Sequence, residues 1–204
     1  MKKYGKYIIT DVDGVMLNWE NAFQCWMEHQ GHNRVNLSQF IYSAGEQYGL
    51  SKAEGQRMVA LFNQSAAIGF LPPLRDAQEI IRLLHQKYGY RFVVCTSLSV
   101  DKYAQDLRTK NLVKLFGDCF EEFVYLPTGA DKDSALLDLA TRYPAGSYWV
   151  EDKYENMIAG NNVGFTGVLM EHGYNMKQHN EQDIVVTDWE ELFLMITKTE
   201  RLQA

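Results

Sequence analysis

At 204 residues, with 46% hydrophobic and 13% aromatic content, the chain is long enough for a full buried core and a modest inserted unit. Its formal net charge of -6, without basic blocks, offers no field for a phosphate backbone, so polymeric nucleic acid is excluded as an expected partner. No apolar stretch approaches the roughly 18 residues of a membrane span, the basic start reaches Asp11 and Asp13 too soon for a signal segment, and Cys25, Cys95 and Cys119 have neither disulfide-framework nor zinc spacing, so a cytoplasmic monomer or homodimer is expected.

In chain order, short apolar runs ending in polar residues predict strands at 7–12, 92–95, 123–126, 148–150, 167–170 and 184–186. Amphipathic stretches at 76–88, 101–111, 132–143 and 155–161 predict helices between them. This alternation argues for an α/β fold, a Rossmann-like doubly wound parallel sheet covered on both faces, with its ligand site at the carboxyl ends of the strands. From Trp19 to Phe70 the pattern is helical throughout, with helices expected at 20–30, 37–48 and 52–64 and with Ser38 and Ser51 as N-caps. Residues 18–71 therefore read as a small all-helical cap inserted after the first strand of a core built from 1–17 and 72–204. Pro72-Pro73 marks the return to that core. The polar tail 198–204 is expected to fray.

Four short segments carry chemistry. Asp11-Val12-Asp13-Gly14 follows the first apolar run, so two carboxylates stand two residues apart where a strand ends, on one side of an extended chain. Such neighbours repel and lose hydration, and Mg²⁺, a hard ion that takes oxygen ligands, would compensate them. Asp-Gly is equally a hairpin signal, so a solvated turn stays open. Thr96-Ser97 ends a second strand in hydroxyls that either hold a phosphate oxygen or simply turn the chain. Lys132 falls where a helix should begin, a place the macrodipole does not favour for a cation; it marks a nearby anion or is a plain surface lysine. Finally, an apolar strand ends in Glu151-Asp152, with Asn156 four residues beyond Asp152. Adjacent strand residues face opposite ways, so both acids reach one ion only if the chain is already turning at Glu151, and Asp152 is preferred.

In this order, the Asp-x-Asp pair, the threonine, the lysine and the acidic pair resemble the four motifs of haloacid dehalogenase superfamily phosphohydrolases over nearly the whole chain. The resemblance implies a phosphatase with a helical cap and Mg²⁺ as cofactor. Asp11 would be the nucleophile that forms an aspartyl-phosphate, and Asp13 the acid and then the base. Thr96 and Lys132 would grip the transferring phosphoryl group. Asp11, the backbone carbonyl of Asp13, and Asp152 with Glu151 would hold the metal. Glu151-Asp152 departs from the commoner Gly-Asp form with a second aspartate, which leaves the ligand set open between the two acids.

Residues 11–20 and 92–97 also resemble the matching segments of the deoxyribonucleotidases, in which an aromatic residue at the Trp19 position faces the base and Ser97 would lie near the phosphate. A small phosphorylated metabolite, a (deoxy)nucleoside monophosphate, is the implied substrate. Trp19, Phe23 and Trp26 share one helical face, which reads as packing of the cap or as an aromatic platform for a base. Those enzymes carry two aspartates where this chain has Glu151-Asp152. A sugar-phosphate phosphatase, a phosphomutase and a catalytically idle binding module therefore stay open.

Overall fold

The computed structural model describes residues 5–203. Strands β1 (Tyr7–Thr10), β2 (Arg91–Ser97), β3 (Phe120–Leu126), β4 (Tyr148–Glu151), β5 (Thr166–Met170) and β6 (Ile184–Val186) form one sheet in the order β3-β2-β1-β4-β5-β6. Every pairing in it is parallel. Parallel neighbours need crossovers, and here these contain helices α4 (Ala77–Tyr88), α5 (Lys102–Phe116), α6 (Asp133–Arg142) and α7 (Tyr154–Asn162). A last helix, α8 (Trp189–Gln203), follows β6.

Side chains alternate across each strand, so the sheet builds two cores. Ile8, Phe92, Val94 and Val150 join one apolar cluster with Ile81 and Leu84 of α4, Leu112 of α5 and Trp189 and Leu192 of α8. Ile9, Val93, Cys95 and Trp149 join the other with Leu136 and Leu139 of α6 and Ala159 of α7. Burial on both faces explains why these strands read as continuous apolar runs. The chain winds outward from β1 to β3 and then returns to β4 on the far side of β1. Strand order therefore reverses between β1 and β4, and the crevice at their carboxyl ends is where doubly wound sheets bind ligands.

Three helices, α1 (Trp19–His29), α2 (Ala44–Tyr48) and α3 (Lys52–Gln64), and a 3₁₀ turn at Ala66–Gly69 lie between β1 and α4. The outgoing and returning chains are tied together where they meet the sheet, because Asn18 N donates to Pro72 O (2.9 Å) and Leu74 N to Met16 O (2.8 Å). Helix α3 starts as expected from Ser51, whose hydroxyl accepts from Glu54 N while Glu54 accepts from Ser51 N, a reciprocal cap. Gly55 lets α2 approach α3 closely; a Cβ there would lie 2.5 Å from Gly45 N.

Several expected boundaries are corrected. The helix expected at 37–48 is only Ala44–Tyr48, and Ser38 caps nothing. Its hydroxyl instead accepts from Phe40 N, and Asn36 Oδ1 accepts from Ser38 N, local bonds that compete with helix formation. Leu37, Phe40 and Tyr42 are exposed, so no buried face rewards a helix there. Strand β1 stops at Thr10 rather than Val12, because the Val12 carbonyl accepts from Met16 N and Leu17 N in a turn. Strand β3 starts at Phe120; its Glu121-Glu122 pair disguised it, and Glu122 accepts from the Tyr143 hydroxyl (2.7 Å). Helix α5 runs five residues past 111, and the polar Arg108 and Asn111 on its buried face broke the apolar period. Helix α8, which no sequence signal above announced, begins where Asp188 Oδ1 accepts from Glu191 N and carries Lys198 and Thr199 within it. Ala204 lies outside the described residues. All three cysteines are free. Among the described residues no helix is long and apolar enough to cross a membrane.

Candidate active site

The ends of β1, β2 and β4 and the start of α6 converge on a cavity of about 950 Å³, lined by Asp11, Asp13, Thr96, Ser97, Lys132 and Asp152 from the sheet side. Its opposite wall comes from α1, α2 and α3, including Trp19, Gln47, Gln56 and Asn63. Residues scattered from 11 to 152 in the chain thus meet in one crevice.

Asp11 follows β1 directly, and its backbone N donates to Val150 O (2.9 Å), which fixes it against β4. Lys132 is only 2% exposed and stands at the N-cap of α6. Its Nζ lies 2.9 Å from Asp11 Oδ2 and 2.6 Å from Glu151 Oε2, so the anions that a lysine at a helix start hinted at are these two carboxylates. The ammonium also sits 5.3 Å from the Trp149 ring centroid. Burial disfavours its charge, but Asp11 and Glu151 more than offset that and raise its pKa. Thr96, buried at the end of β2, lines the cavity together with Asp11.

Glu151 and Asp152 differ in role. Glu151 turns its carboxylate under the chain: Oε1 accepts from Asp152 N and Lys153 N (both 3.0 Å) and Oε2 from Lys132. Glu151 is still the last residue of β4, and the chain bends one residue later than expected, at Asp152-Lys153, yet both carboxylates come within 4.8 Å of each other. Asp152 faces the cavity, with Oδ2 accepting from the Tyr174 hydroxyl and its carbonyl from Asn175 Nδ2 (2.7 Å).

Carboxylate oxygens of Asp11, Glu151 and Asp152 lie within 4.8 Å of one another, all buried. Lys132 is the ammonium among them, so negative charge is in surplus. Burial is the first cause that raises the pKa of each acid, and the Lys132 charge opposes it. Asp11 Oδ1 is buried without a hydrogen-bond partner. An orphaned carboxylate oxygen inside an acidic triad fits a hard divalent cation, which takes oxygen ligands and neutralises the surplus.

Ser97 is brought to the crevice but its hydroxyl donates to Ala130 O (2.8 Å), tying β2 to the loop before α6. Trp19 lines the cavity while stacking on Phe23 (4.6 Å between centroids, 17° between planes) and meeting Phe62 edge-on. Its Nε1 donates to Asn63 Oδ1 (3.0 Å). Phe23 in turn stacks on Trp26. The aromatic stripe therefore packs α1 onto α3, and Trp19 adds a cavity surface to that packing role.

Sequence reasoning missed three participants. His172 and Tyr174, on the segment after β5, stack on each other (5.1 Å, 3°). His172 Nε2 donates to Gly14 O (2.6 Å), and burial lowers the ring's pKa. The signal available for both was position, since the loops after parallel strands line the binding edge. Arg108, fully buried on α5, pairs with Asp13 Oδ1 at 2.5 Å. Nothing in a lone arginine within an amphipathic helix announced it.

No family model matches the sequence. The architecture is the haloacid dehalogenase-like hydrolase fold, shared by phosphatases and dehalogenases. The chain is similar to a haloacid dehalogenase-like hydrolase from Streptococcus pneumoniae, with a TM-score of 0.64 and 14% identity over 94% of this chain and 98% of that one. It is also similar to D,D-heptose 1.7-bisphosphate phosphatase from B. bronchiseptica, complexed with magnesium and phosphate (TM-score 0.60, 15% identity, 95% and 99% covered). L-2-haloacid dehalogenase from Xanthobacter autotrophicus has the same fold (TM-score 0.62, 12% identity, 95% and 99% covered). Among curated proteins, an uncharacterized 32.4 kDa protein in the Gp30-rIII intergenic region of enterobacteria phage T4 is 24% identical over 141 residues, 67% of this chain. The chain spans about half the length of that relative, 50% of which is covered.

Proposed function

We propose that the chain is a Mg²⁺-dependent phosphatase that acts through an aspartyl-phosphate on Asp11, with a (deoxy)nucleoside monophosphate as substrate class. The observation that carries this reading is Asp11 itself, a residue of the cavity wall whose buried carboxylate has one oxygen held by Lys132 and the other without a hydrogen-bond partner among the described residues. A carboxylate oxygen of Asp11 attacks phosphorus, and the ester bond to the leaving oxygen breaks. Asp13 gives that oxygen a proton, then takes one from the water that attacks the aspartyl-phosphate. Lys132 and Thr96 hold the phosphoryl oxygens, where preorganised donors meet the charge of transfer. Asp11, Asp152, the Asp13 carbonyl and, more weakly, Glu151 would hold Mg²⁺, which when bound offsets the charge of the phosphoryl group.

Residues 18–71 serve as the cap in this reading, with Trp19 as the surface for the base. A cavity of about 950 Å³ leaves room beyond the phosphoryl group for a sugar and a base. A sugar phosphate is the second reading, favoured by the heptose bisphosphate phosphatase and by a CbbY structure from Rhodobacter sphaeroides in complex with xylulose-(1,5)bisphosphate, both with this fold. Phosphate release from deoxynucleoside monophosphates and sugar phosphates, with and without Mg²⁺, separates the two. Release from sugar phosphates alone removes the nucleotide reading, and a product isomer without net release makes the chain a phosphomutase. Asp11→Asn should abolish metal-dependent turnover with the fold retained; unchanged release sinks the mechanism.

A further inference from the structure

The phosphatase reading leaves one buried charge beside the site without a role. Arg108 projects from the inner face of α5, has no exposed side-chain surface, and forms its ion pair with Asp13 through Nη1 alone. Its Nε and Nη2 are buried and have no hydrogen-bond partner among the described residues. Among the described residues, Asp13 is thus the one carboxylate paired with this guanidinium. A buried charge that loses its partner costs several kcal/mol, so the Asp13 side chain is not free to swing among rotamers. Three residues along the same helix, Asn111 Nδ2 donates to Leu71 O (3.0 Å), one residue before Pro72-Pro73. One rigid helix face therefore grips the chain at Asp13, where it leaves the sheet, and at Leu71, where it returns.

We propose that Arg108 is the positioning residue for Asp13: from α5 it sets where the Asp13 carboxylate stands relative to the Asp11 carboxylate and the cavity. Arg108 does not line the cavity and touches no substrate; it acts through Asp13. This rests on the phosphatase reading for its kinetic consequence but not for its structural one. A shorter or neutral side chain would leave Asp13 at hydrogen-bond reach of nothing fixed, and proton transfer would lose its alignment while substrate binding stays.

The test compares wild type, Arg108→Met, Arg108→Lys, Asp13→Asn and the Arg108→Met/Asp13→Asn double variant, after thermal melts show that each folds. Arg108→Met is expected to lower kcat about 10 to 100-fold, within the span that positioned acid–base groups contribute, with KM changed less than about threefold. Arg108→Lys should restore part of kcat. In the Asp13→Asn background the same Arg108 change should cost less than about twofold, because residues acting as one unit are not additive. Equal losses in both backgrounds, or a loss confined to KM, overturn the proposal. If wild type releases no phosphate from any monoester, the phosphatase reading fails, and crystal structures of wild type and Arg108→Met decide this proposal alone. A displaced Asp13 carboxylate upholds it, and an unmoved one refutes it.

Discussion

Lys132→Met keeps the length of the buried stem and removes the cation that touches both Asp11 and Glu151. Separations of 2.9 and 2.6 Å correspond to attractions of about 6 kcal/mol each at an effective dielectric of about 20. Desolvation of the three charges offsets much of that, and removing one partner from a buried cluster costs about 3–5 kcal/mol net. At about 2–4 °C per kcal/mol for a chain of this size, the melting midpoint should fall by roughly 6–20 °C. The assay is thermal unfolding of both proteins in chelator at about pH 7.5 and about pH 5. Burial already raises the pKa values of Asp11 and Glu151, and loss of the lysine raises them further. A carboxylate whose folded pKa is raised contributes stability below its unfolded pKa and loses it as pH rises through the folded one. The deficit of Lys132→Met should therefore shrink at the lower pH. A variant that melts within about 2 °C of wild type at the higher pH, or whose deficit is the same at both, would show that Lys132 does not hold the acidic cluster together.

Asp152→Asn removes one of the crowded carboxylates. Wild type should gain about 2.7 kcal/mol at a Mg²⁺ concentration 100 times its Kd, the variant should lose that shift, and without metal it should melt no lower than wild type. Absence of any Mg²⁺ shift in wild type would remove the metal from the reading. Gly14→Ala addresses the turn that brings Asp152 close: Gly14 has φ 75° and a Cβ there would lie 2.5 Å from Asp152 Oδ2. It should cost about 1–3 kcal/mol and weaken the Mg²⁺ shift; wild-type melting with an intact shift contradicts the close approach.

The sheet was legible because strands buried on both faces, such as Phe92 to Cys95, carry a signal that no exposed residue dilutes. The crevice was legible because Asp11, Thr96, Lys132 and Asp152 each end or begin an element, and a parallel sheet gathers such points at one edge. Partners contributed from within elements or after them were not. Arg108 sits where an amphipathic helix would carry a leucine, and its meaning depends on Asp13, 95 residues away in sequence. Tyr174 matters through one contact to Asp152, set by how the chain turns after β5. The division between Glu151 and Asp152 was equally hidden, because it follows from which backbone N–H groups the turn presents to Glu151. The irregular 36–43 stretch reversed a helical pattern through side-chain bonds of Asn36 and Ser38 that hydrophobic spacing does not register.

Strand β1 is bonded on both sides, to β2 and to β4, in the middle of the six-stranded order. To expose the backbone beneath Asp11 to solvent, two ladders must part at once, and the free energy of that opening approaches that of unfolding the whole sheet. Amide exchange at Ile9 and Asp11 should consequently report global unfolding, while α2, five residues long and outside the sheet, opens at lower cost. A substitution that weakens the protein elsewhere thus thins the population of folded molecules and leaves Asp11 in register in each one that remains.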